Sequence, residues 1–340
     1  MPDPAPEINM VDVARHAGVS IATVSRALRD VPGVSEATRV RIRLVAEDLS
    51  YVVSPEASAL SRRATGRVAV VVPKIDVWFY SAMLAAIEGV LREADLDVLV
   101  YQVDGAAQRS RFFRQLPARR KVDAVVLIAL PLPAAEEERL DLLGVHVVVA
   151  GGQLRDYPHV RADDVEATTL AMDHLLGLGH RRIAMIRTGD TAGAAWSADI
   201  VRTQTYRDRL DAHGITVPAE YLTTADAGPM AGSAGVDALL ALLEPPTAIL
   251  CYSDEIAVGA YAGLSARGIA VPGEISVIGI DGHPMAEVFD LSTVTQSVSR
   301  QGKLAGQMAL DLLAGRPTEA EELVVSCDLI VRGSTGPPKV

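Results

Sequence analysis

The stretch from Ile8 to Leu28, INMVDVARHAGVSIATVSRAL, constrains the fold more than any other part of the chain. It is predicted to form two short helices joined by a tight turn. Asn9 and Ser20 suit the N-cap positions of these helices, because short polar side chains accept hydrogen bonds from free N–H groups there. Gly18 suits the turn, since glycine readily adopts positive φ. The stretch therefore favours a compact helical hairpin.

The second predicted helix has two different faces. At about 100° per residue, Val24, Ala27 and Leu28 lie together on an apolar side. The opposite side carries Ala22, Ser25, Arg26 and Arg29. One face for packing and one polar face for contact is typical of a helix-turn-helix whose second helix enters the DNA major groove.

The segment DVARHAGVSIATVSRAL resembles the headpiece of the LacI/GalR family of bacterial transcription regulators. The resemblance implies double-stranded operator DNA as a partner. Arg26 suits O6 and N7 of a guanine, whereas Ile21 and Ala22 suit thymine methyl groups. The hydroxyl side chains suit phosphates. The expected DNA-binding residues of this segment are Ser20, Ile21, Ala22, Thr23, Ser25, Arg26 and Arg29.

A third helix is predicted from Ser35 to about Leu49. Ser35 is its expected N-cap, and apolar residues recur along it at helical spacing. Tyr51 follows, where resembling proteins close a three-helix core with a tyrosine. Ser50 stands where they usually have the glycine that ends this helix.

The segment SPEASALSRR, residues 54–63, carries helix start signals but little apolar surface. Ser54 suits an N-cap and Pro55 the first helical position. The resemblance implies a hinge helix that orders on operator DNA, with Leu60 wedged into the central minor-groove step. An ordinary linker, in which Leu60 packs on Val52 or Val53, is the alternative.

The charge of −11 is unevenly distributed. Residues 1–67 carry a net charge of +1, with nine arginines, no lysine and eight acidic residues, and the remaining residues carry −12. The asymmetry mildly favours DNA contact through the N-terminal part. We therefore expect modest non-specific affinity and a reliance on dimerisation and base contacts.

From Arg67 onward, short apolar runs alternate with helical stretches. Continuous apolar strands separated by helices predict parallel sheets covered on both faces. The length favours two doubly wound lobes over one very wide sheet. The predicted strands are 68–72, 97–101, 123–129, 145–150, 182–186, 247–252 and 275–280. The predicted helices lie near 80–94, 106–118, 134–143, 165–178, 197–213, 231–243, 254–267 and 298–314.

The fold class expected is thus α/β, with a two-lobed, doubly wound core preceded by a small all-α headpiece. The core resembles the family's effector-binding domain, which is similar to periplasmic sugar-binding proteins. That resemblance implies a homodimer and a small-molecule effector, and it puts roughly 67–163 and 294–325 in one lobe. The expected domains are a disordered tail (1–7), a headpiece (8–53), a hinge and linker (54–66) and the effector-binding and dimerisation core (67–340).

Ligands of open α/β sheets bind beyond the carboxyl ends of the strands. Asp281 follows such a strand in VIGIDGHP, where a carboxylate can accept from ligand hydroxyls. Phe79 and Tyr80 suit stacking on a sugar or base, although they equally suit a cap on the core. Arg202 and Ser253 match effector-binding positions of the family, and the alternative for Arg202 is a solvated helix residue. The alternative for Asp281 is a loop or cap role. The expected effector-binding residues are Phe79, Tyr80, Arg202, Ser253 and Asp281.

Two departures from the family pattern concern this site. Gly151-Gly152 stands where many relatives carry an aspartate, and Ala227 where many carry an aromatic residue. Both differences are expected to widen the pocket, which argues against a simple hexose as effector.

The sequence gives little support to an enzyme, a free-standing solute-binding protein or a membrane protein. The chain has no glycine-rich phosphate loop, serine elbow or histidine pair at metal spacing, so we expect no enzyme, cofactor or metal. A free-standing solute-binding protein would need a secretory signal, which MPDPAPEIN does not resemble. No apolar run approaches 18 residues, so no membrane span is expected. Cys251 and Cys327 lie in apolar runs, which predicts two buried thiols in a reducing cytoplasm.

Overall fold

The computed structural model describes residues 8–28, 30–51, 64–189, 197–225, 228–317 and 321–339. The chain divides into two units, with the division between Thr65 and Gly66. Arg29, Leu60 and Ala227 lie outside the described residues, as does most of the predicted hinge.

The first unit contains the three predicted helices, α1 (Met10–Ala17), α2 (Ile21–Leu28) and α3 (Glu36–Asp48). Asn9 accepts a hydrogen bond from the Val11 N–H, and Ser35 accepts one from the Thr38 N–H. Gly18 ends α1 with φ +65°, as the predicted turn requires. The predicted caps and turn are therefore confirmed.

A small apolar core holds these helices together. Its buried members are Val13, Ala14, Ala17, Val24, Ala27, Ile42 and Ala46. Tyr51 packs against the edge of this core after α3 ends. Ser50, next to it, has φ +52°, a left-handed conformation that L side chains adopt only at a cost.

The second unit contains two six-stranded sheets. Sheet 1 has the strand order β11-β5-β4-β3-β1-β2, and sheet 2 has the order β12-β10-β9-β8-β6-β7. Among the residues that the structure describes, every strand pair is parallel except β10 with β12. The strands are β1 (Arg67–Val72), β2 (Asp97–Gln102), β3 (Ala124–Ile128), β4 (His146–Ala150), β5 (His159–Ala162), β6 (Ile183–Thr188), β7 (Leu222–Ala225), β8 (Ala248–Cys251), β9 (Ser276–Asp281), β10 (Ser292–Thr295), β11 (Glu322–Val325) and β12 (Asp328–Ile330).

Helices cover both faces of each sheet, because the strands are apolar on both sides. All seven predicted strands and all eight predicted core helices are present. Five short strands, β5, β7, β10, β11 and β12, were not predicted. The helices are α4 (Trp78–Glu93), α5 (Gly105–Gln115), α6 (Ala134–Leu140), α7 (Asp164–Gly177), α8 (Ser197–Ala212), α9 (Pro229–Leu240), α10 (Asp254–Ala266), α11 (Met285–Val288) and α12 (Val298–Leu313).

Each sheet with its helices forms one lobe, called here lobe 1 (sheet 1) and lobe 2 (sheet 2). The chain passes between the sheets three times, after β5, after β10 and after β11. Helix α12 packs against α4 and thus belongs to lobe 1. The expected start of the last lobe-1 segment at residue 294 is wrong by a few residues, because β10 pairs with β9 in sheet 2.

Cys251 and Cys327 are both buried free thiols, as predicted. Burial raises the pKa of each thiol above its usual value. Of the helices that the structure describes, none has the length and apolar character needed to cross a membrane.

Candidate functional site

Helix α2 presents the residues expected to contact DNA. Ile21, Ala22 and Arg26 are exposed, whereas Thr23 and Ser25 are half-buried. Ser20 accepts a hydrogen bond from the Thr23 N–H at 3.1 Å, and the two hydroxyls are 2.8 Å apart. Ser20 thus caps α2 as predicted. The DNA-contacting roles of these residues stay predictions.

Arg39 of α3 fixes the end of α2, a role that the sequence analysis missed. Its guanidinium donates to the carbonyl of Ala27 at 3.2 Å and to the carboxylate of Asp30 at 2.6 Å. It also donates to the carbonyl of Val31 at 3.3 Å. A cation is favourable at a helix C-terminus, so Arg39 stabilises the orientation of the exposed helix. Nothing in the sequence distinguishes Arg39 from the other arginines of α3.

A cavity of about 580 Å³ lies between the two lobes. Its lining residues follow the carboxyl ends of strands in both sheets, for example Pro73 after β1, Ala129 after β3, Tyr252 after β8 and Gln296 after β10. This is the place where open α/β sheets bind ligands. The five residues expected to bind effector, Phe79, Tyr80, Arg202, Ser253 and Asp281, all line it.

Arg202 reaches the cavity from α8 and is buried. Its Nε donates to Asp164 at 2.8 Å, and its Nη1 donates to the carbonyl of Tyr252 at 2.6 Å. The guanidinium also lies 4.5 Å from the centre of the Tyr252 ring. Burial is the largest single effect on its pKa and lowers it, but Asp164, Tyr252 and Asp281 together outweigh burial, so the pKa is raised. Among the described residues, Nη2 has no hydrogen-bond acceptor.

Asp281 provides a carboxyl group at the end of β9. Gln296 donates to its Oδ1 at 2.5 Å, whereas no described residue donates to Oδ2. Burial, reinforced by the carboxylate of Asp254, raises the pKa of Asp281, and Arg202 opposes this effect. A free guanidinium donor and a free carboxyl acceptor thus border the same cavity. Such a pair can bind a hydroxyl group as both acceptor and donor.

Asp254 is a buried carboxyl behind the site that the sequence analysis did not identify. Thr293 donates its hydroxyl to Asp254 at 2.7 Å, and the His283 N–H donates at 2.7 Å. Burial raises the pKa of Asp254 despite these bonds. Asp254 therefore connects α10 to β10 and to the loop that follows Asp281 at the end of β9. The sequence feature that could have identified Asp254 is its position directly after Ser253, at the start of a predicted helix.

Ser253 caps α10 by accepting a hydrogen bond from the Ile256 N–H at 3.3 Å. One lone pair of its oxygen is therefore used, and the second lone pair and the hydroxyl proton are available to a ligand. Ser253 thus caps α10, and its effector contact stays a prediction.

Phe79 and Tyr80 lie at the start of α4 and form an edge-to-face pair with centroids 5.4 Å apart. Both rings pack against the core of lobe 1 and both line the cavity. Phe79 also corrects an expectation about Gly151, which has φ +72°. A Cβ at Gly151 would lie 2.9 Å from Phe79 Cζ. The expected widening at this glycine is therefore wrong, because the Phe79 ring fills the space.

The two lobes contact each other beside the cavity. The ring of Trp78 in lobe 1 lies 4.7 Å from the ring of His283 in lobe 2. The backbone N–H of Trp78 donates to the Glu255 carboxylate of α10 at 3.4 Å. This contact was not predicted, since nothing near either residue in sequence indicates the other.

Within the described parts of the chain, no group of histidine, cysteine, aspartate or glutamate side chains could hold a metal ion. His174 and His180 instead bind the C-terminal segment. His174 Nε2 lies 2.8 Å from the Thr335 hydroxyl, and His180 Nε2 lies 2.8 Å from the Gly336 carbonyl. Their predicted structural role agrees with these contacts.

A three-helix unit with a helix-turn-helix and a two-lobed core with an interlobe cavity define a DNA-binding transcriptional regulator. Residues 9–54 match the family described as bacterial regulatory proteins, lacI family, and residues 172–335 match the periplasmic binding protein-like domain. The transcriptional repressor CytR of Escherichia coli (strain K12) is 32% identical over 330 residues, 96% of each chain. The chain therefore belongs to the lacI family of bacterial regulatory proteins, whose curated members matched here are transcriptional regulators rather than enzymes.

Solved structures give the same result for the fold. The complex of the transcriptional regulator CelR with cellobiose has a TM-score of 0.71 at 28% identity, and the match covers 96% of this chain and 99% of that one. The lac repressor dimer bound to operator and the anti-inducer ONPF has a TM-score of 0.85 at 22% identity, covering 97% and 99%. The expected fold class is therefore confirmed.

Proposed function

We propose that this protein is a homodimeric repressor that binds a pseudo-palindromic operator and responds to a polar, sugar-like effector in the interlobe cavity. The observation that carries the proposal is the pair of buried groups Arg202 and Asp281, each with an unused hydrogen-bonding atom at that cavity. Under this proposal the protein acts in the bacterial cytoplasm, where operator DNA is found.

The exposed side of α2 supports the DNA part of the proposal. Arg26 is exposed there and can donate two hydrogen bonds to one guanine. Because one helix-turn-helix contacts only a few base pairs, two copies on a symmetric operator supply the needed affinity. Leu60 and Arg29, outside the described residues, are proposed to contact the minor groove and the operator beside the recognition helix.

The composition of the cavity supports a hydroxylated effector. Asp281 Oδ2 can accept from a ligand hydroxyl and Arg202 Nη2 can donate to it. Phe79 and Tyr80 offer apolar ring surface for a sugar face. The CelR structure contains cellobiose, which favours a carbohydrate effector here as well.

Coupling between effector and operator requires two lobe arrangements with different effector affinities. The cavity is formed by both lobes, so a ligand that touches both favours one relative orientation. The Trp78–His283 contact next to the cavity depends on that orientation. We infer that effector binding changes the lobe arrangement and thereby the two hinges.

The test measures operator binding with and without candidate effectors. The operator is first selected from random DNA, and affinity is then measured by fluorescence anisotropy across a panel of sugars, nucleosides and other metabolites. A repressor of this kind binds a palindromic site and changes its affinity with one class of compound. A free-standing solute-binding protein would bind compounds but select no DNA, and an enzyme would convert the compound.

An Asp281→Asn variant tests the site itself. We expect it to bind the operator like wild type but to lose the response to the effector. Asp211→Asn, an exposed change on α8 of the same lobe, is the matched control and should keep the response. Loss of operator binding together with a lower melting temperature in Asp281→Asn would assign Asp281 a structural role instead.

A further inference from the structure

One wall of the interlobe cavity is apolar and belongs entirely to lobe 1. Four side chains that follow β2, β3 and β4 form it: Val103, Leu130, Leu132 and Leu154. All four are at most 8% exposed and belong to one core cluster. Sugar hydroxyls placed against these side chains would lose hydrogen bonds to water without replacement. This wall therefore favours an apolar group.

A buried arginine accompanies this wall. Arg109 of α5 lines the cavity and is 5% exposed. A guanidinium has five N–H donors, and in the described residues only its Nε has an acceptor, Glu136 Oε2 at 2.7 Å. The Nη atoms are not among the fully buried side-chain atoms that lack a partner, so a molecule in the cavity can reach them. The remaining donors of Arg109 therefore suit an acceptor atom of a ligand.

The charges near Arg109 favour a neutral acceptor over an anion. Glu136 already neutralises the guanidinium across a contact that is largely shielded from solvent. Asp104 and Glu137 also line the cavity, at the start of α5 and beside Glu136. An anionic ligand group here would therefore meet carboxylates as well as the arginine. A carbonyl, ether or nitro oxygen would accept from Arg109 without that repulsion.

On the basis of the proposed function, we propose that the effector has two parts. Its hydroxylated part binds Arg202 and Asp281 in lobe 2, and a less polar ring binds the apolar wall of lobe 1. That ring carries a neutral oxygen that accepts a hydrogen bond from Arg109. The chemical class is a glycoside with an apolar, oxygen-bearing aglycone. A cavity of about 580 Å³ agrees with this, since sites of roughly 300–1,000 Å³ bind drug-sized molecules.

The experiment compares matched ligands on the full-length protein. For each pentose and hexose of a panel, the free sugar and its methyl, phenyl, 4-acetylphenyl and 4-carboxyphenyl glycosides are titrated calorimetrically. We expect the phenyl glycoside of the recognised sugar to bind about ten-fold more tightly than the methyl glycoside, because the ring buries apolar surface. The acetyl group should strengthen binding further, and the carboxylate should not.

The double variant Arg109→Met/Glu136→Gln tests whether Arg109 donates the hydrogen bond to the neutral oxygen of the ligand. Both substitutions keep side-chain volume and leave no unpaired buried charge. The variant should lose the advantage of acetylphenyl over phenyl but keep that of phenyl over methyl. Arg111→Met, an exposed change on the same helix, should keep both. The ligand series alone decides the question where the double variant does not fold.

The outcomes separate this inference from the proposed function. If free sugars and methyl glycosides bind as tightly as the aryl glycosides and alter operator affinity, the two-part effector is wrong and the proposed function stands. If no sugar or glycoside of the panel alters operator affinity, the sugar-like effector itself is wrong. An equal gain from acetyl and carboxylate groups would contradict the neutral acceptor.

Discussion

Trp78 of lobe 1 and His283 of lobe 2 form a ring contact between the two lobes, with ring centroids 4.7 Å apart. Trp78 begins the helix that follows β1 of sheet 1, whereas His283 follows β9 of sheet 2. The two residues are therefore far apart in sequence. Their contact exists only in lobe arrangements close to the one described. It would therefore report the lobe movement on which the proposed effector control depends.

The first prediction concerns this contact. A double-mutant cycle of Trp78→Ala and His283→Ala should give a coupling energy of about 0.5–1.5 kcal/mol in thermal or denaturant unfolding. The coupling should change when effector is added, because lobe orientation changes. Tyr261 and Phe289, a ring pair within lobe 2 at 5.9 Å, provide the control cycle. Equal effector dependence of both cycles would contradict an interlobe role.

The second prediction concerns acid stability of the core. Burial, followed by the positive potential of His174, lowers the pKa of His180, although the Gly336 carbonyl opposes this. An imidazole with a lowered folded-state pKa binds protons more readily when unfolded, where its pKa is about 6.5. Its neutral form therefore stabilises the fold above that pH, and stability is lost as pH falls through the folded-state pKa.

Calorimetry at pH 7.5 and pH 5.5 checks this effect. His180→Asn should melt below wild type at the higher pH, because the bonds to Thr247 and Gly336 are lost. Its further decrease at the lower pH should be smaller than that of wild type. His146→Asn, an exposed change, is the control. The buried carboxyls Asp254 and Asp281 titrate in both proteins, so their contribution cancels in the comparison.

The third prediction concerns base recognition by α2. Arg26→Ala should lose about 1–3 kcal/mol on the selected operator and relax the preference at one base pair. Arg111→Ala in the other unit should leave the affinity unchanged. Binding of Arg26→Ala that is unchanged across a library of operator variants would contradict the assignment.

The fourth prediction concerns the hinge residue Leu60. Leu60→Ala should weaken operator binding far more than non-specific binding and should reduce DNA bending, because the unstacked central step is no longer filled. The resemblance implies CG at that step. A stiff A-tract at the operator centre should remove most of the difference between wild type and variant, as gel-shift and bending assays would show. If the Leu60→Ala variant bends the operator as much as wild type does, segment 54–63 is an ordinary linker and the prediction is wrong.

The fifth prediction concerns two left-handed residues of the headpiece. Ser50→Gly should stabilise it by about 1 kcal/mol, because glycine adopts φ +52° without steric cost. Gly18→Ala should have the opposite effect at φ +65°. Hydrogen exchange of the α1 and α3 amides measures both. Similar destabilisation by the two changes would exclude this explanation.

The sequence predicted elements whose signals are local. Asn9, Gly18 and Ser35 marked helix ends because caps and turns depend on neighbouring residues alone. Strands β5 and β11 were not predicted, because a strand of four residues shows little hydrophobic alternation. Their pairing also places His159 opposite Glu322, which is far away in the sequence. Only the tertiary arrangement makes such short segments into strands.

The site was predictable to the extent that it follows strand ends. Asp281 was placed by its strand and Arg202 by resemblance to the family. Tyr252 was not predicted as a site residue, because it accepts from Arg202 through its backbone carbonyl and the type of side chain does not indicate such a contact. The expectation at Gly151 was wrong because the absence of a side chain suggested free space in the pocket. The Phe79 ring, which belongs to another element, occupies that space.

The passage of the chain from β11 in sheet 1 to β12 in sheet 2 has a consequence for biosynthesis. Lobe 1 starts at β1 yet lacks an edge strand until Val325 has been made, and β12 completes lobe 2 a few residues later. Domains generally fold as units during synthesis, but neither lobe here can finish before the other has nearly emerged. Translation that stops short of residue 322 therefore yields two unfinished sheets with unpaired edges, which are prone to aggregation.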